Sequence, residues 1–129
     1  MSYTARCCCG ACALELEGEP TMNGLCHCAN CKKRTGSAFG WSVYFADAQI
    51  AARSGDLVMY QPRSATPQTR WFCARCGTTL YWKSDFMPTH TGVAGGCLAD
   101  QDIPPPTFQA SIGGRCLWVG LPDSWPTAP

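Results

Sequence analysis

The stretch Phe72-Cys73-Ala74-Arg75-Cys76-Gly77-Thr78-Thr79-Leu80 says most about the architecture of this chain. Its C-x-x-C spacing lets two sulfurs face one metal ion. Residues 70–73 and 79–83 have the composition of two strands joined by this turn. A redox C-x-x-C is the alternative, but the βαβ context typical of that motif is missing. The stretch therefore predicts half of a tetrahedral metal site.

The overall composition favours metal binding over disulfides. The chain has 129 residues and eleven cysteines, an odd number that cannot be fully paired within one chain. The N-terminus has no apolar run of signal-peptide length, so the sequence predicts a cytoplasmic protein whose thiols stay reduced. No stretch predicts a membrane span, and ten Lys+Arg against nine Asp+Glu leave no basic excess for nucleic acid. We expect one domain, residues 1–129.

Seven cysteines form three clusters: the N-terminal pair Cys7 and Cys9, the central triplet Cys26, Cys28 and Cys31, and the C-x-x-C pair Cys73 and Cys76. The N-terminal pair has C-x-C spacing, which puts both side chains on one side of an extended segment. If it completes the site of the C-x-x-C pair, one zinc is closed by four thiolates. The central triplet then holds a second zinc with three protein ligands and an open position. Closed sites are structural, whereas open ones can take water or substrate.

The residues after the central triplet admit two interpretations. Lys32-Lys33-Arg34 follows it at once, and these cations would keep the thiolates deprotonated or would simply form a solvated face. Residues 29–35 predict about two turns of helix that end at Gly36. We expect the cysteines outside the clusters to be small buried hydrophobic residues: Cys8, Cys12, Cys97 and Cys116. Cys97 is the candidate exception, because Gly95-Gly96 before it permits a close approach of the backbone. Neither His27 nor His90 is expected to be a ligand.

The remaining pattern predicts a mainly β fold of small antiparallel sheets pinned by zinc, with one short helix at the central triplet. Six stretches have β composition: 13–17, 41–45, 57–61, 70–73, 79–83 and 90–94. Ile103-Pro104-Pro105-Pro106 predicts an extended connection, because consecutive prolines exclude helix and central strand. We expect residues 118–129 to wrap the surface with Trp118 and Trp125 as anchors.

The order of these motifs resembles the glutathione-dependent formaldehyde-activating enzyme family, also described as the centromere-protein-V/GFA domain. The resemblance rests on Cys7-Cys8-Cys9-Gly10-Ala11, on C-H-C-x-x-C from Cys26 followed by Thr35-Gly36-Ser37-Ala38-Phe39, and on the F-C-x-x-C-G-T-x-L stretch. Gly95-Gly96-Cys97-Leu98-Ala99-Asp100 resembles the family's G-S-L-D-D, with Cys97 in place of a serine and Ala99 in place of an aspartate. Leu117-Trp118-Val119-Gly120-Leu121-Pro122 resembles the family's ending.

The resemblance implies an Mss4-like fold and two zinc ions per chain. It implies that the N-terminal and C-x-x-C pairs hold a structural zinc and that the central triplet holds the zinc assigned to catalysis. The implied activity is the condensation of formaldehyde with glutathione to S-(hydroxymethyl)glutathione, a carbon–sulfur lyase reaction run in reverse, so the implied partner is a small thiol. Four arginines are candidates for holding glutathione carboxylates, although their spacing shows no convergence: Arg53, Arg63, Arg70 and Arg75.

Two other classes of function stay open, and either is compatible with an oligomer. A non-catalytic zinc module that contacts another protein predicts an exposed apolar patch and no pocket at the central triplet. The tryptophans that could form such a patch are Trp41, Trp71, Trp82, Trp118 and Trp125. A zinc or redox sensor predicts that Cys8, Cys12 or Cys97 forms a disulfide with a metal ligand on mild oxidation.

Overall fold

A computed structural model describes residues 1–129 as ten strands, one α-helix and three short 3-10 helices. The elements are β1 (Ser2–Arg6), β2 (Ala13–Glu17), β3 (Met22–Cys26), α1 (Ala29–Thr35), β4 (Gly40–Ala46), β5 (Ile50–Ser54), β6 (Leu57–Tyr60), β7 (Gln68–Cys73), β8 (Thr79–Ser84), β9 (His90–Ala94) and β10 (Phe108–Ala110). The 3-10 helices are Asp47–Gln49, Gly95–Cys97 and Ile112–Gly114. None of these helices has the length and apolar character needed to cross a membrane.

The strands form two sheets, one of three strands in the order β1-β2-β5 and one of seven in the order β10-β3-β4-β9-β8-β7-β6. All pairings are antiparallel except that of β10 with β3. The mainly β fold with one short helix is therefore confirmed. The parallel pairing of β10 with β3 was not predicted. This pairing brings the chain after residue 107 next to β3 and the central triplet.

The six predicted strands are present, two of them with the predicted bounds: β2 and β9. Four further strands were not predicted: β1, β3, β5 and β10. The sequence of β3, Met-Asn-Gly-Leu-Cys, has an asparagine and a glycine that disfavour a strand in isolation. Its place between β4 and β10 overrides that preference because both edges are hydrogen-bonded.

One hydrophobic core joins the two sheets. Leu14 and Leu16 of the three-stranded sheet belong to the same buried cluster as Phe45, Leu80 and Val93 of the seven-stranded sheet. Three cysteines lie within this core: Cys7, Cys12 and Cys73. Part of the cysteine chemistry is therefore anchored in the most buried part of the molecule.

Helix α1 begins inside the central triplet. Cys28 is its N-cap, with extended backbone angles, and its sulfur accepts a hydrogen bond from the Cys31 N–H at 3.3 Å. The helix ends at Gly36, which adopts the left-handed conformation (φ 66°) and donates its N–H to the Lys32 carbonyl. Both the predicted range of the helix and its predicted end are confirmed.

The C-terminal segment lies on the surface and is held by backbone hydrogen bonds to β10. The prediction that Trp118 anchors this segment is wrong. The Trp118 side chain is 79% exposed, whereas Trp125 is partly buried. The segment is held where the Gln109 N–H donates to the Pro126 carbonyl at 3.0 Å and the Ala128 N–H donates to the Gln109 carbonyl at 2.9 Å. The segment is therefore held by backbone pairing with β10, next to the partly buried Trp125.

Candidate metal centres

The N-terminal and C-x-x-C pairs meet in one four-sulfur cluster. It lies where the loop after β1 contacts the turn between β7 and β8. The sulfurs of Cys7, Cys9, Cys73 and Cys76 all lie within 4.8 Å of one another, and the Cys7–Cys9 and Cys9–Cys73 sulfur distances are both 3.7 Å. A tetrahedral zinc with Zn–S bonds of about 2.3 Å keeps its sulfurs about 3.8 Å apart. The four-sulfur cluster therefore fits a zinc ion.

Polar groups around the four-sulfur cluster favour thiolates. The Cys12 N–H donates to the Cys7 sulfur at 3.2 Å, and the Arg75 N–H donates to the Cys73 sulfur at 3.3 Å. The Thr78 hydroxyl lies 3.2 Å from the Cys76 sulfur and accepts the Cys8 N–H at 3.1 Å. Hydrogen bonding from Thr78 lowers the pKa of the Cys76 thiol to about 5.

The central triplet forms a second cluster at the junction of β3 and α1. Its three sulfurs also lie within 4.8 Å of one another, each side chain is half-buried, and no histidine or carboxylate joins them. Hydrogen bonding between the sulfurs lowers the pKa of Cys26 to about 5 and raises the pKa of Cys31. Such close thiols cannot all ionise without a cation. Three converging thiolates fit a zinc ion that has one open coordination position.

His27 lies between two cysteines of the central triplet but does not join it. Its ring is fully buried, and Nε2 lies 2.8 Å from Oε1 of Gln109 on β10. The ring also packs edge-on against Phe39 at a centroid distance of 6.0 Å. His90 contacts the hydroxyl of its neighbour Thr89. His27 is a packed side chain, His90 is partly exposed, and neither belongs to a cysteine cluster.

The central triplet lies in the wall of a cavity of about 490 Å³. The wall also includes two arginines, four aromatic residues and three serines: Arg34, Arg70, Tyr44, Trp82, Phe86, Phe108, Ser42, Ser84 and Ser111. No aspartate or glutamate lines the cavity. An apolar wall with a few polar groups at the metal ligands is typical of a small-molecule site.

Two aromatic rings of this wall lie directly over glycines. A Cβ atom on Gly24 would fall 2.5 Å from the ring of Phe108, and one on Gly92 would overlap the ring of Trp82. The Trp82 indole N–H also donates to the Tyr44 hydroxyl at 3.2 Å. The positions of these rings are therefore fixed by close approach to the backbone of β3 and β9.

The three cations after the central triplet have different surroundings, so each interpretation of them holds for only part of the run. Lys33 is exposed to solvent, and Lys32 donates its ammonium to the Gly114 carbonyl at 2.7 Å. The Arg34 guanidinium lies over the Trp82 ring, with its carbon 4.1 Å from the centroid. Burial lowers the pKa of Arg34, and the negative charge of Cys31 opposes that shift. Arg34 alone of the three faces the cavity.

Of the four arginines considered as carboxylate ligands, only Arg70 lines the cavity. The guanidinium of Arg53 lies 5.6 Å from the Tyr81 ring centroid, and Arg63 and Arg75 are exposed. Sequence reasoning missed two residues that the parallel β10–β3 pairing brings to this region: Ser111, which contacts the Cys26 sulfur, and Gln109, which contacts His27. No local motif indicates either residue.

The cysteines outside the clusters differ in burial. Cys12 is fully buried, as expected, and its sulfur contacts the Asp56 carbonyl at 3.4 Å. Cys8 is exposed, because it lies in the loop beside the four-sulfur cluster with its side chain in solvent. The prediction of burial is therefore wrong for Cys8. Cys97 and Cys116 are half-buried. Burial raises the pKa of Cys97 to about 11.

Comparison with known proteins agrees with the motif order. The sequence model of one protein family matches residues 2–112, a range that contains both cysteine clusters. That family is described as glutathione-dependent formaldehyde-activating enzyme. The crystal structure of a Rhodobacter sphaeroides protein is similar, with a TM-score of 0.58 and 24% identity over 81% of this chain and 92% of that chain. At this identity the likeness concerns the fold alone. No curated protein matches the chain.

Proposed function

This chain belongs to the glutathione-dependent formaldehyde-activating enzyme family, and on that premise we propose that it is a zinc-dependent enzyme acting on glutathione adducts of a small aldehyde, of the S-(hydroxymethyl)glutathione synthase type. One observation carries the proposal: the central triplet lines a cavity of about 490 Å³ whose wall holds arginine and aromatic side chains, whereas the four-sulfur cluster borders a separate and more open surface depression that holds no aromatic ring. Family membership supplies the chemical class of the reaction, and the cavity supplies a place for it.

The two clusters have different roles in this proposal. The four-sulfur cluster holds a structural zinc, since four thiolates leave no position for substrate. Cys26, Cys28 and Cys31 hold the working ion and act in catalysis through it. Zinc bound by three thiolates supplies a Lewis-acidic position that can take a sulfur or a carbonyl oxygen. A cytoplasmic location belongs to the same proposal, because glutathione is available there and keeps the cysteines reduced.

The reaction needs one new bond and one proton transfer. The glutathione sulfur bonds to the formaldehyde carbon, the carbonyl electron pair moves to oxygen, and the thiol proton ends on that oxygen. Burial raises the pKa of Tyr44, so its hydroxyl stays protonated at the cavity wall and can donate a hydrogen bond there. The rings of Trp82 and Phe108 give the same space an apolar wall.

The alternatives receive less support. A protein-interaction module predicted an exposed apolar patch and no pocket at the central triplet. Apolar side chains are exposed at Val58, Met59 and Tyr60 on β6, so the cavity, rather than a lack of apolar surface, is what opposes this alternative. Trp118 is the one strongly exposed tryptophan, and the central triplet has its cavity. A sensor requires a spare thiol that can reach a ligand in solution. Cys12, whose N–H bonds to the Cys7 sulfur, is fully buried, and Cys97 is half-buried. Cys8 is exposed beside the four-sulfur cluster, so it is the one spare thiol that a sensor would use.

The test is a glutathione titration of cobalt-substituted protein, followed by the visible spectrum of cobalt at the central triplet. We expect the spectrum to change when the glutathione sulfur enters the open position. Cys28→Ser should abolish the change, whereas Cys116→Ser, which lies outside both clusters, should preserve it. The same preparations should accelerate formation of S-(hydroxymethyl)glutathione. A spectrum that saturating glutathione leaves unchanged would contradict the proposal.

A further inference from the structure

We propose that Arg34 and Arg70 together form a carboxylate-binding site beside the central triplet, so that the cavity selects thiols that carry a carboxylate over neutral thiols. The inference rests on the proposed function in taking a thiol as the ligand of the open metal position. It goes beyond that function by assigning two binding residues and a chemical requirement for the ligand.

The first observation is that the two guanidiniums share one cavity and lack a carboxylate partner. Arg70, on β7, is only 8% exposed, and Arg34, in the last turn of α1, is half-buried. No acidic residue lines the cavity, and the one salt bridge of the structure joins Lys83 to Asp47 elsewhere. Buried charges are normally paired, because taking an unpaired charge out of water is costly. The nearest anions are the thiolates of the central triplet, whose charge a bound dication would largely neutralise. The two cations therefore indicate a place for a further anion.

The second observation is that both arginines have hydrogen-bond donors to spare. The Nη2 atom of Arg34 is buried against Gly40 without a hydrogen-bond partner, and the other guanidinium nitrogens of Arg34, which make no hydrogen bond, are the donors that a ligand in the cavity would meet. The side chain of Arg70 makes one hydrogen bond, from Nε to Gln68 Oε1 at 2.7 Å, which leaves its terminal nitrogens free. A guanidinium presents its donors as a planar fork that matches the two oxygens of a carboxylate.

The third observation is the charge of the surroundings. Three thiolates on a dication have a formal net charge of −1, and the two guanidiniums contribute +2. The cavity then has a positive excess before a ligand enters. Arg34 stacks on Trp82 on one side and lies close to the sulfur of Cys31, so its position is set by the protein before binding. An anionic thiol satisfies both the metal and this excess.

The experiment compares small probes on cobalt-loaded protein by calorimetry and by the cobalt spectrum. The probes are 3-mercaptopropionate, which has a thiol and a carboxylate, 2-mercaptoethanol, which has only the thiol, and S-methylglutathione, whose sulfur cannot become a thiolate. We expect 3-mercaptopropionate to bind at least about tenfold more tightly than 2-mercaptoethanol, because a hydrogen bond between charged groups contributes more to the binding free energy than one between neutral groups. The preference should fall to about one in Arg34→Met and in Arg70→Met. It should persist in Arg63→Met, whose side chain is exposed and outside the cavity.

The outcomes separate this inference from the proposed function. If both thiols change the cobalt spectrum with equal affinity in the unmodified protein, the carboxylate site is refuted and the proposed function stands. If no thiol changes the spectrum, but S-methylglutathione binds the unmodified protein and not the arginine variants, the site stands and the proposed function fails. Should Arg70→Met not fold, Arg34→Met carries the test. Loss of cobalt from Arg34→Met without loss of the preference would show that Arg34 only balances the thiolates, and would overturn the inference.

Discussion

The two cysteine clusters use the same ligand atoms in opposite settings. The four-sulfur cluster joins parts of the chain that are far apart, with Cys9 and Cys73 separated by 64 positions, and two of its members, Cys7 and Cys73, belong to the core. The central triplet lies within residues 26–31, at one strand-to-helix junction, and opens into a cavity. The position of a cluster in the fold therefore distinguishes a cross-link from a binding site more clearly than ligand type does.

This difference has an energetic side. Bringing two distant chain segments together costs loop-closure entropy, which a metal ion bound to both segments offsets. The central triplet needs no such closure, because its ligands are already neighbours. We therefore expect the four-sulfur cluster to determine whether the chain folds and the central triplet to determine what it binds.

The largest expected effect comes from replacing one cysteine of each cluster with serine and comparing the two variants. Cys73→Ser should abolish cooperative folding, since structural zinc contributes about 10–16 kcal/mol in zinc-finger peptides and a whole domain is stable by only about 5–15 kcal/mol. Cys28→Ser should keep the far-ultraviolet circular dichroism and a cooperative thermal transition, and should lose one metal ion per chain. Thermal unfolding and elemental analysis of both variants measure this. Equal loss of structure in the two variants would refute the division of roles.

A smaller effect is expected from the support behind the central triplet. Gln109→Leu removes the partner of the buried His27 ring and should lower the free energy of unfolding by about 1–3 kcal/mol. Because His27 lies between two ligands, the variant should also release metal from the central triplet sooner than from the four-sulfur cluster. Chelator competition and urea unfolding test both effects, with exposed Gln61→Leu as the matched control. Simultaneous release from both clusters would count against this link.

The smallest effect concerns one hydroxyl beside each cluster. Thr78→Val removes two contacts, one to the Cys76 sulfur at 3.2 Å and one from the Cys8 N–H at 3.1 Å, and should weaken metal binding at the four-sulfur cluster about tenfold. Ser111→Ala removes one longer contact, 3.7 Å from the Cys26 sulfur, and should weaken the central triplet less. Competition with a chromogenic chelator measures both affinities. The reverse order of effects would mean that these hydroxyls do not tune the clusters.

Local patterns in the sequence predicted what depends on nearby residues. The spacing from Cys26 to Cys31 and the glycine at position 36 indicated the helix and its end, and alternation indicated β2. Fold-level features had no such pattern. Ser111 reaches the central triplet because β10 pairs in parallel with β3, across more than eighty positions of sequence. Arg34 could not be assigned to the cavity because its neighbours Lys32 and Lys33 carry the same charge and face elsewhere.

The rings seated over Gly24 and Gly92 have a consequence for divergence among related chains. Phe108 and Trp82 occupy the space that a side chain at either position would need, so an alanine there would displace a ring that lines the cavity. Two proteins could share every side chain of the cavity wall and still admit ligands of different size. The dimensions of the binding space are thus encoded partly in the main chain, at positions that an inventory of the cavity's side chains would pass over.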